Sequence, residues 1–129
     1  MSDAEIVADA SAILALLLGE GFDTFDPLRL LGCCISAVNI AEVLTKLVSG
    51  GLAEADAEAA VGRLDLRVVP FDGPQAQTAA RLWPRTRQVG LSLGDRACIA
   101  LALQFGRPVV TAERVWGRLG LGVEIVLIR

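Results

Sequence analysis

The chain alternates short apolar runs with longer stretches in which apolar residues recur every three or four positions. The short runs predict buried strands, and the longer stretches predict helices that have one apolar face. Because the strands are continuously apolar and helices separate them, the pattern is typical of a parallel sheet covered on both faces. The predicted strands lie in the segments "EIVADAS" (residues 5–8), "CCISA", "LRVVPFD", "PVVTA" and "VEIVLI".

Five longer helices and two short ones are predicted between these strands. Gly50 and Gly51 end the second long helix, Pro84 kinks or breaks the fourth, and Ser92 or Asp95 begins the fifth. With 129 residues, no linker and no internal repeat, the chain is expected to form a single domain over residues 1–129. The long helices lie in "ASAILALLLGE", "AVNIAEVLTKLVSGG", "AEADAEAAVGRL", "PQAQTAARLWPRTRQVG" and "SLGDRACIALALQFG", and the short ones in "FDTFDPLRLLG" and "ERVWGRLG".

Composition bears on the location of the protein. No apolar run approaches the roughly 18 residues of a membrane span, so no membrane association is expected. The first residues, "MSDAEIV", are acidic where a secretion signal is basic, so the protein is expected to be cytoplasmic. Cys33, Cys34 and Cys98 lie in apolar contexts without metal-ligand spacing, and we expect them to be buried structural residues.

The chain contains neither histidine nor tyrosine. This excludes Ser–His and Cys–His catalysis as well as histidine-ligated zinc. If the protein is an enzyme, carboxylates must carry its chemistry.

Four carboxylates interrupt apolar sequence: Asp9, Glu42, Asp95 and Glu113. Asp9 and Glu113 follow predicted parallel strands, so both are expected at the carboxyl edge of the sheet, where such folds bind ligands. Each carboxylate also has a structural explanation. Asp9 could cap the following helix, and Asp95 could be an N-cap or a first-turn acid favoured by the helix dipole. Glu42 could pair with Lys46 four residues on, and Glu113 could be a surface acid.

Gathered in one pocket, these carboxylates would repel one another and raise each other's pKa. A hard divalent cation removes the conflict, and Mg²⁺ and Mn²⁺ prefer oxygen ligands and bind substrate phosphate. Ser11 and Thr111 could add hydroxyl groups to such a site. Asn39 lies three residues before Glu42, on the same helix face. The pattern therefore indicates metal-assisted hydrolysis of a phosphodiester.

Four segments, together spanning residues 6–116, resemble the PIN-domain family and, within it, the VapC-type toxins of bacterial toxin–antitoxin pairs. These segments are "IVADASAILALLLGE", "ISAVNIAEVLTKL", "GLSLGDRACIALAL" and "RPVVTAERVW". The resemblance implies a three-layer α/β/α fold with a short central parallel sheet. It also implies an endoribonuclease that depends on Mg²⁺ or Mn²⁺, a VapB-type antitoxin partner, and a homodimer or toxin–antitoxin hetero-oligomer.

Under the same resemblance, Asp9, Glu42 and Asp95 match the family's principal acids, and Ser11 and Asn39 match its supporting polar residues. Glu113 departs from the family pattern, which more often has aspartate after this strand. The longer glutamate side chain puts its part in metal binding in doubt.

The charge distribution predicts where RNA binds. Residues 1–80 hold 4 basic and 12 acidic residues, whereas residues 81–129 hold 8 basic and 3 acidic residues, and all of these basic residues are arginine. Arginine can bind phosphate through two parallel hydrogen bonds. The expected RNA-binding residues are Arg85, Arg87, Arg96 and Arg114; the alternative is that they are surface or carboxylate-paired arginines.

A second functional class remains possible at this point, namely a catalytically inert PIN-like interaction domain that binds no metal. Either class is expected to expose an apolar groove to a partner, because the chain is 53% hydrophobic with a mean hydropathy of +0.55. The residues expected to contribute to the exposed apolar surface are Leu14, Leu17, Leu18, Phe22, Phe25 and Trp83.

Overall fold

The computed structural model describes residues 5–129 and contains the predicted helices and strands in the predicted order. Three short 3₁₀ segments, Pro27–Leu30, Arg87–Val89 and Arg114–Arg118, connect the longer elements. The strands are β1 (Val7–Ala8), β2 (Cys34–Ser36), β3 (Arg67–Val69), β4 (Val109–Thr111) and β5 (Ile125–Leu127). The helices are α1 (Ala10–Leu18), α2 (Ala37–Ser49), α3 (Glu54–Gly62), α4 (Gly73–Thr86) and α5 (Leu93–Phe105).

The five strands form one parallel sheet in the order β3-β2-β1-β4-β5. The chain runs outward from β1 to β3 and then crosses to β4 on the other side of β1. Val7 in β1 is therefore opposite both Cys34 and Val109. Strand order reverses between β1 and β4, and a crevice forms beyond the carboxyl ends of the strands at such a point.

Two apolar clusters lie on opposite faces of the sheet. On one face, Ile13 of α1 and Val43 of α2 pack with Ile35 of β2. On the other, Ile99 of α5 and Leu82 of α4 pack with other buried side chains. Helices thus cover both faces, which confirms the predicted three-layer α/β/α fold. Cys33, Cys34 and Cys98 are buried, as predicted.

Pro84 is predicted to kink or break the fourth helix, and the break does not occur. It lies inside α4, and the helix continues beyond it. Proline removes the N–H that would bond the carbonyl four residues earlier, and its ring clashes with that carbonyl, so a helix that continues needs other support. The buried Ala79 and Leu82 hold this helix against the molecule, and the Thr86 hydroxyl donates to the Leu82 carbonyl at 2.9 Å. Packing therefore keeps the chain helical for two residues beyond the proline.

The residues expected to be exposed divide into three groups. Leu18 and Trp83 are 60% and 48% exposed, which confirms the prediction for them. Leu14, Leu17 and Phe22 are half-buried against the core. The prediction is wrong for Phe25, which is 6% exposed because the chain after α1 folds back onto the core. Among residues 5–129, no helix is long and apolar enough to cross a bilayer.

Candidate active site

Asp9 is the residue immediately after β1 and is 3% exposed. It is the N-cap of α1, and its Oδ1 accepts a hydrogen bond from the Ala12 N–H at 2.9 Å. The Thr111 hydroxyl, at the end of β4, donates to Oδ2 at 2.6 Å, and the Ser11 hydroxyl donates to Oδ1 at 2.8 Å. Asp9 is therefore both a helix cap and a buried carboxylate, two roles that the sequence left as alternatives.

Both hydroxyls beside Asp9 are held in a defined orientation. Ser11 Oγ accepts from the Ala112 N–H at 2.9 Å, and Thr111 Oγ1 accepts from the Glu113 N–H at 3.0 Å. Because a backbone donor occupies a lone pair of each oxygen, the hydroxyl proton is available to the Asp9 carboxylate. The chain after β4 thus fixes a carboxylate that lies after β1.

Burial raises the pKa of Asp9 from 3.8 to about 6. The hydrogen bonds from Thr111, Ala12 and Ser11 lower this pKa, and the nearby charge of Asp95 raises it. Burial outweighs the three hydrogen bonds, so the site favours either a proton or a cation next to this carboxylate.

Glu42 lies on α2 and is half-buried. Its Oε1 accepts a hydrogen bond from Asn39 Nδ2 at 2.7 Å, which confirms that both residues share one helix face. The same amide nitrogen donates to the carbonyl of Gly94 at 3.0 Å. Asn39, which is buried, therefore connects Glu42 to the first turn of α5.

Asp95 lies in that first turn and forms a capping box with Ser92. The Ser92 N–H donates to Asp95 Oδ2 at 2.9 Å, and the Asp95 N–H donates to Ser92 Oγ at 3.1 Å. Ser92 is thus the N-cap of α5, and Asp95 supports it from inside the helix. Of the two structural alternatives for Asp95, the first-turn acid is therefore confirmed and the N-cap is wrong, and the residue also lines the cavity described next.

One cavity of about 240 Å³ brings the predicted acids together. Within residues 5–129, no three Asp, Glu or Cys side chains converge tightly enough to form a ready-made metal site. Two of these acids accept hydrogen bonds from the protein, Asp95 from the Ser92 N–H and Glu42 from the Asn39 amide. The lining residues are Asp9, Ala10, Ser11, Leu14, Glu42, Lys46, Asp95 and Glu113.

Lys46 lines this cavity, although the sequence did not identify it as a site residue. The sequence indicates Lys46 only as a possible ion-pair partner of Glu42, four residues earlier. One helical turn of α2 places it on the cavity wall, where it supplies a positive charge among four carboxylates. The (i, i+4) spacing from Glu42 was the available signal, since it also puts both residues on the same face.

Of the four arginines expected to bind RNA, three make contacts within the protein. Arg96 Nη1 donates to the Ala79 carbonyl at 2.9 Å, so it ties α5 to α4. Arg85 Nη2 donates to the Gly120 carbonyl at 3.2 Å, but its side chain is exposed. Arg87 lies over the Trp83 ring at 5.2 Å, and Arg114 is exposed.

A larger groove of about 540 Å³ adjoins the acidic cavity. Four residues, Ser11, Leu14, Lys46 and Glu113, line both. Apolar side chains form much of the groove wall, and charged side chains are distributed along it. The other groove residues are Ala15, Leu18, Glu20, Leu47, Gly50, Leu52, Ala112 and Arg129.

The family model described as "PIN domain" matches residues 6–120 of this chain. A search of curated proteins finds no match.

Solved structures share the fold over nearly the whole chain. DNA-bound VapBC from Salmonella typhimurium is 19% identical with a TM-score of 0.77, and the match covers 97% of this chain and 98% of that one. VapBC2 from Rickettsia felis, bound to a promoter DNA fragment, is 15% identical with a TM-score of 0.76 and coverages of 96% and 98%. VapC20 from Mycobacterium tuberculosis, a toxin that cleaves the sarcin–ricin loop, is 21% identical with a TM-score of 0.70 and coverages of 92% and 98%. At these identities, the likeness establishes the fold.

Proposed function

This chain belongs to the PIN domain family, and from that premise we propose that it is a Mg²⁺- or Mn²⁺-dependent endoribonuclease, the toxin of a type II toxin–antitoxin pair. One observation carries the proposal. Asp9, Glu42, Asp95 and Glu113 come from four separate segments and line a single cavity at the edge where the strand order reverses.

The residues of the cavity fit a hard divalent cation. All candidate ligands are oxygen donors, and burial raises the pKa of Asp9 to about 6, a cost that a bound cation would offset. Asp9, Glu42 and Asp95 would hold the metal. When bound, such an ion polarises a phosphoryl oxygen and lowers the pKa of a coordinated water.

The protein's own residues would orient and bind the substrate. Ser11 and Thr111 hold the Asp9 carboxylate in place through their hydroxyl protons. Lys46 would bind a phosphate oxygen of the RNA, since it places a positive charge in the acidic cavity. Glu113 is exposed and also lines the adjoining groove, so we assign it a peripheral role in metal binding.

We also propose a VapB-type antitoxin as the partner. The Salmonella and Rickettsia structures are toxin–antitoxin complexes, and this chain shares their fold. The groove beside the acidic cavity combines apolar and charged side chains, which suits an amphipathic segment that delivers a cation toward the carboxylates. The expected assembly is a homodimer or a toxin–antitoxin hetero-oligomer in the cytoplasm.

The decisive experiment compares Asp95→Asn with Asp72→Asn on an RNA substrate in Mg²⁺ or Mn²⁺. Asp72 is a control for the loss of one carboxylate at a helix start, because it is the N-cap of α4, as Asp9 is of α1, and it does not line the cavity. Asp9→Asn, Glu42→Gln and Asp95→Asn should each lower the cleavage rate by about 100-fold or more, and EDTA should abolish cleavage. Full activity of purified Asp95→Asn, or activity that persists in EDTA, contradicts the proposal.

The alternative is an inert PIN-like interaction domain, and the lack of three converging carboxylates within residues 5–129 favours it. Calorimetric titration with Mn²⁺ distinguishes the two. A nuclease should release or absorb binding heat that Asp9→Asn removes, whereas an inert domain should show none.

A further inference from the structure

Gly94 is the second residue of α5 and is buried. Gly90 and Gly106 have φ values of 74° and 63°, which favour glycine, whereas Gly94 has helical backbone. Glycine within a helix lowers stability relative to alanine. Backbone conformation therefore does not explain why this position lacks a side chain.

The neighbouring side chain supplies the explanation. A β-carbon at Gly94 would overlap the carboxylate of Glu42, including its carbon and both oxygens. Asn39 completes the contact, since its Nδ2 donates both to Glu42 Oε1 and to the Gly94 carbonyl. Glu42 thus lies against the backbone of the residue that precedes Asp95.

We propose that Gly94 is a positioning residue, which lets the Glu42 carboxylate of α2 lie against the first turn of α5 beside Asp95. Any side chain at this position would displace the carboxylate. Because the overlapping atoms are the far end of a flexible side chain, Glu42 would rotate away and the protein would still fold. The consequence for metal binding rests on the proposed function.

The first test measures Mn²⁺ affinity by calorimetry for Gly94→Ala, Glu42→Ala and the double variant. Gly62→Ala is the matched control, because Gly62 is also helical and an added β-carbon there meets nothing within 4 Å. Gly94→Ala should weaken binding by roughly 10–100-fold, the usual cost of disturbing a residue that orients a ligand. The double variant should be no weaker than Glu42→Ala, since both changes act on one carboxylate.

Unchanged Mn²⁺ affinity in Gly94→Ala overturns the inference. Losses that add in the double variant also overturn it, because they would mean that alanine disturbs α5 itself.

The second test does not depend on metal. The side-chain amide signals of Asn39 in ¹⁵N NMR spectra should move in Gly94→Ala as they do in Glu42→Ala, with little further change in the double variant. They should stay in place in Gly62→Ala. If the unaltered protein binds no Mn²⁺, the proposed function fails, yet these signals still decide the role of Gly94. Asn39 signals that do not move in Gly94→Ala overturn it.

Discussion

At the residue scale, Asp9 combines two roles that usually belong to different residues. It caps α1 through the Ala12 N–H, and it presents a carboxylate to the acidic cavity. Burial raises its pKa to about 6 even though three hydrogen bonds act in the opposite direction. The folded protein therefore binds the Asp9 proton more tightly than the unfolded chain does.

This difference predicts how stability depends on pH in EDTA. Below the unfolded pKa of 3.8, Asp9 is protonated in both states, and its contribution to stability is fully present. As the pH rises toward and through the folded pKa of about 6, that contribution is lost, on the order of 3 kcal/mol by pH 8. Chemical denaturation across this range should show the fall, and Asp9→Asn should flatten it.

Mg²⁺ supplies the control, because it should restore stability above pH 6 in the unaltered protein and have no such effect in Asp9→Asn. If the free energy of unfolding depends on pH in the same way in the unaltered protein and in Asp9→Asn, this account of Asp9 is contradicted.

At the scale of elements, the first turn of α5 holds Asp95 in a capping box with Ser92. The capping role and the proposed metal role involve the same carboxylate, but different substitutions separate them. Ser92→Ala removes the hydroxyl cap and leaves the carboxylate. Asp95→Asn keeps an oxygen that can accept from the Ser92 N–H, and it removes the negative charge.

Ser92→Ala should therefore lower the free energy of unfolding by about 1 kcal/mol, the usual cost of losing an N-cap, while retaining Mn²⁺ affinity. Asp95→Asn should show the reverse, with near-normal stability and weakened Mn²⁺ binding. Thermal melting and calorimetry measure the two quantities. Loss of Mn²⁺ binding in Ser92→Ala would show that the cap, and not the charge, organises this part of the site.

At the scale of the whole molecule, the arginine-rich second half of the sequence is expected to hold RNA while the carboxylates hold the metal. Arg85 and Arg87 are exposed at the end of α4. Arg96, in contrast, is half-buried and donates a hydrogen bond from α5 to the Ala79 carbonyl of α4. We therefore expect Arg85 and Arg87 to contribute more to RNA affinity than Arg96, whose replacement should chiefly cost stability.

Replacing Arg85 and Arg87 with glutamine should weaken RNA binding and flatten its salt dependence. Each lost phosphate contact changes the log–log slope by about 0.7 for a single strand. Binding of an uncleaved RNA in the Asp9→Asn background measures this, and Arg63→Gln with Arg67→Gln is a control that removes equal charge elsewhere. An unchanged slope would place the RNA on another surface.

The apolar groove beside the cavity gives a second prediction at this scale. Leu18 and Leu52 line the groove and are exposed, so the chain without its partner should bind an apolar dye and dissolve poorly. Changing both leucines to glutamine should reduce dye fluorescence and improve solubility, with the melting temperature retained. A lone chain that stays monodisperse at high concentration and binds no dye would contradict the proposed docking role of the groove.

Much of this architecture was predictable because it is encoded locally. Apolar periodicity located the strands and helices, and the residues after strands identified Asp9 and Glu113 as edge residues. The spacing of three between Asn39 and Glu42 predicted their shared face, since it follows from the helical repeat alone.

Tertiary structure decided what lies far apart in sequence. Thr111 reaches Asp9 across 102 positions, and Asn39 reaches Gly94 across 55, because the strand order brings those segments to one edge. The burial of Phe25 depends in the same way on where the chain folds back. Local periodicity specifies which face of an element is apolar, but the neighbour that covers that face is set by packing of the whole chain.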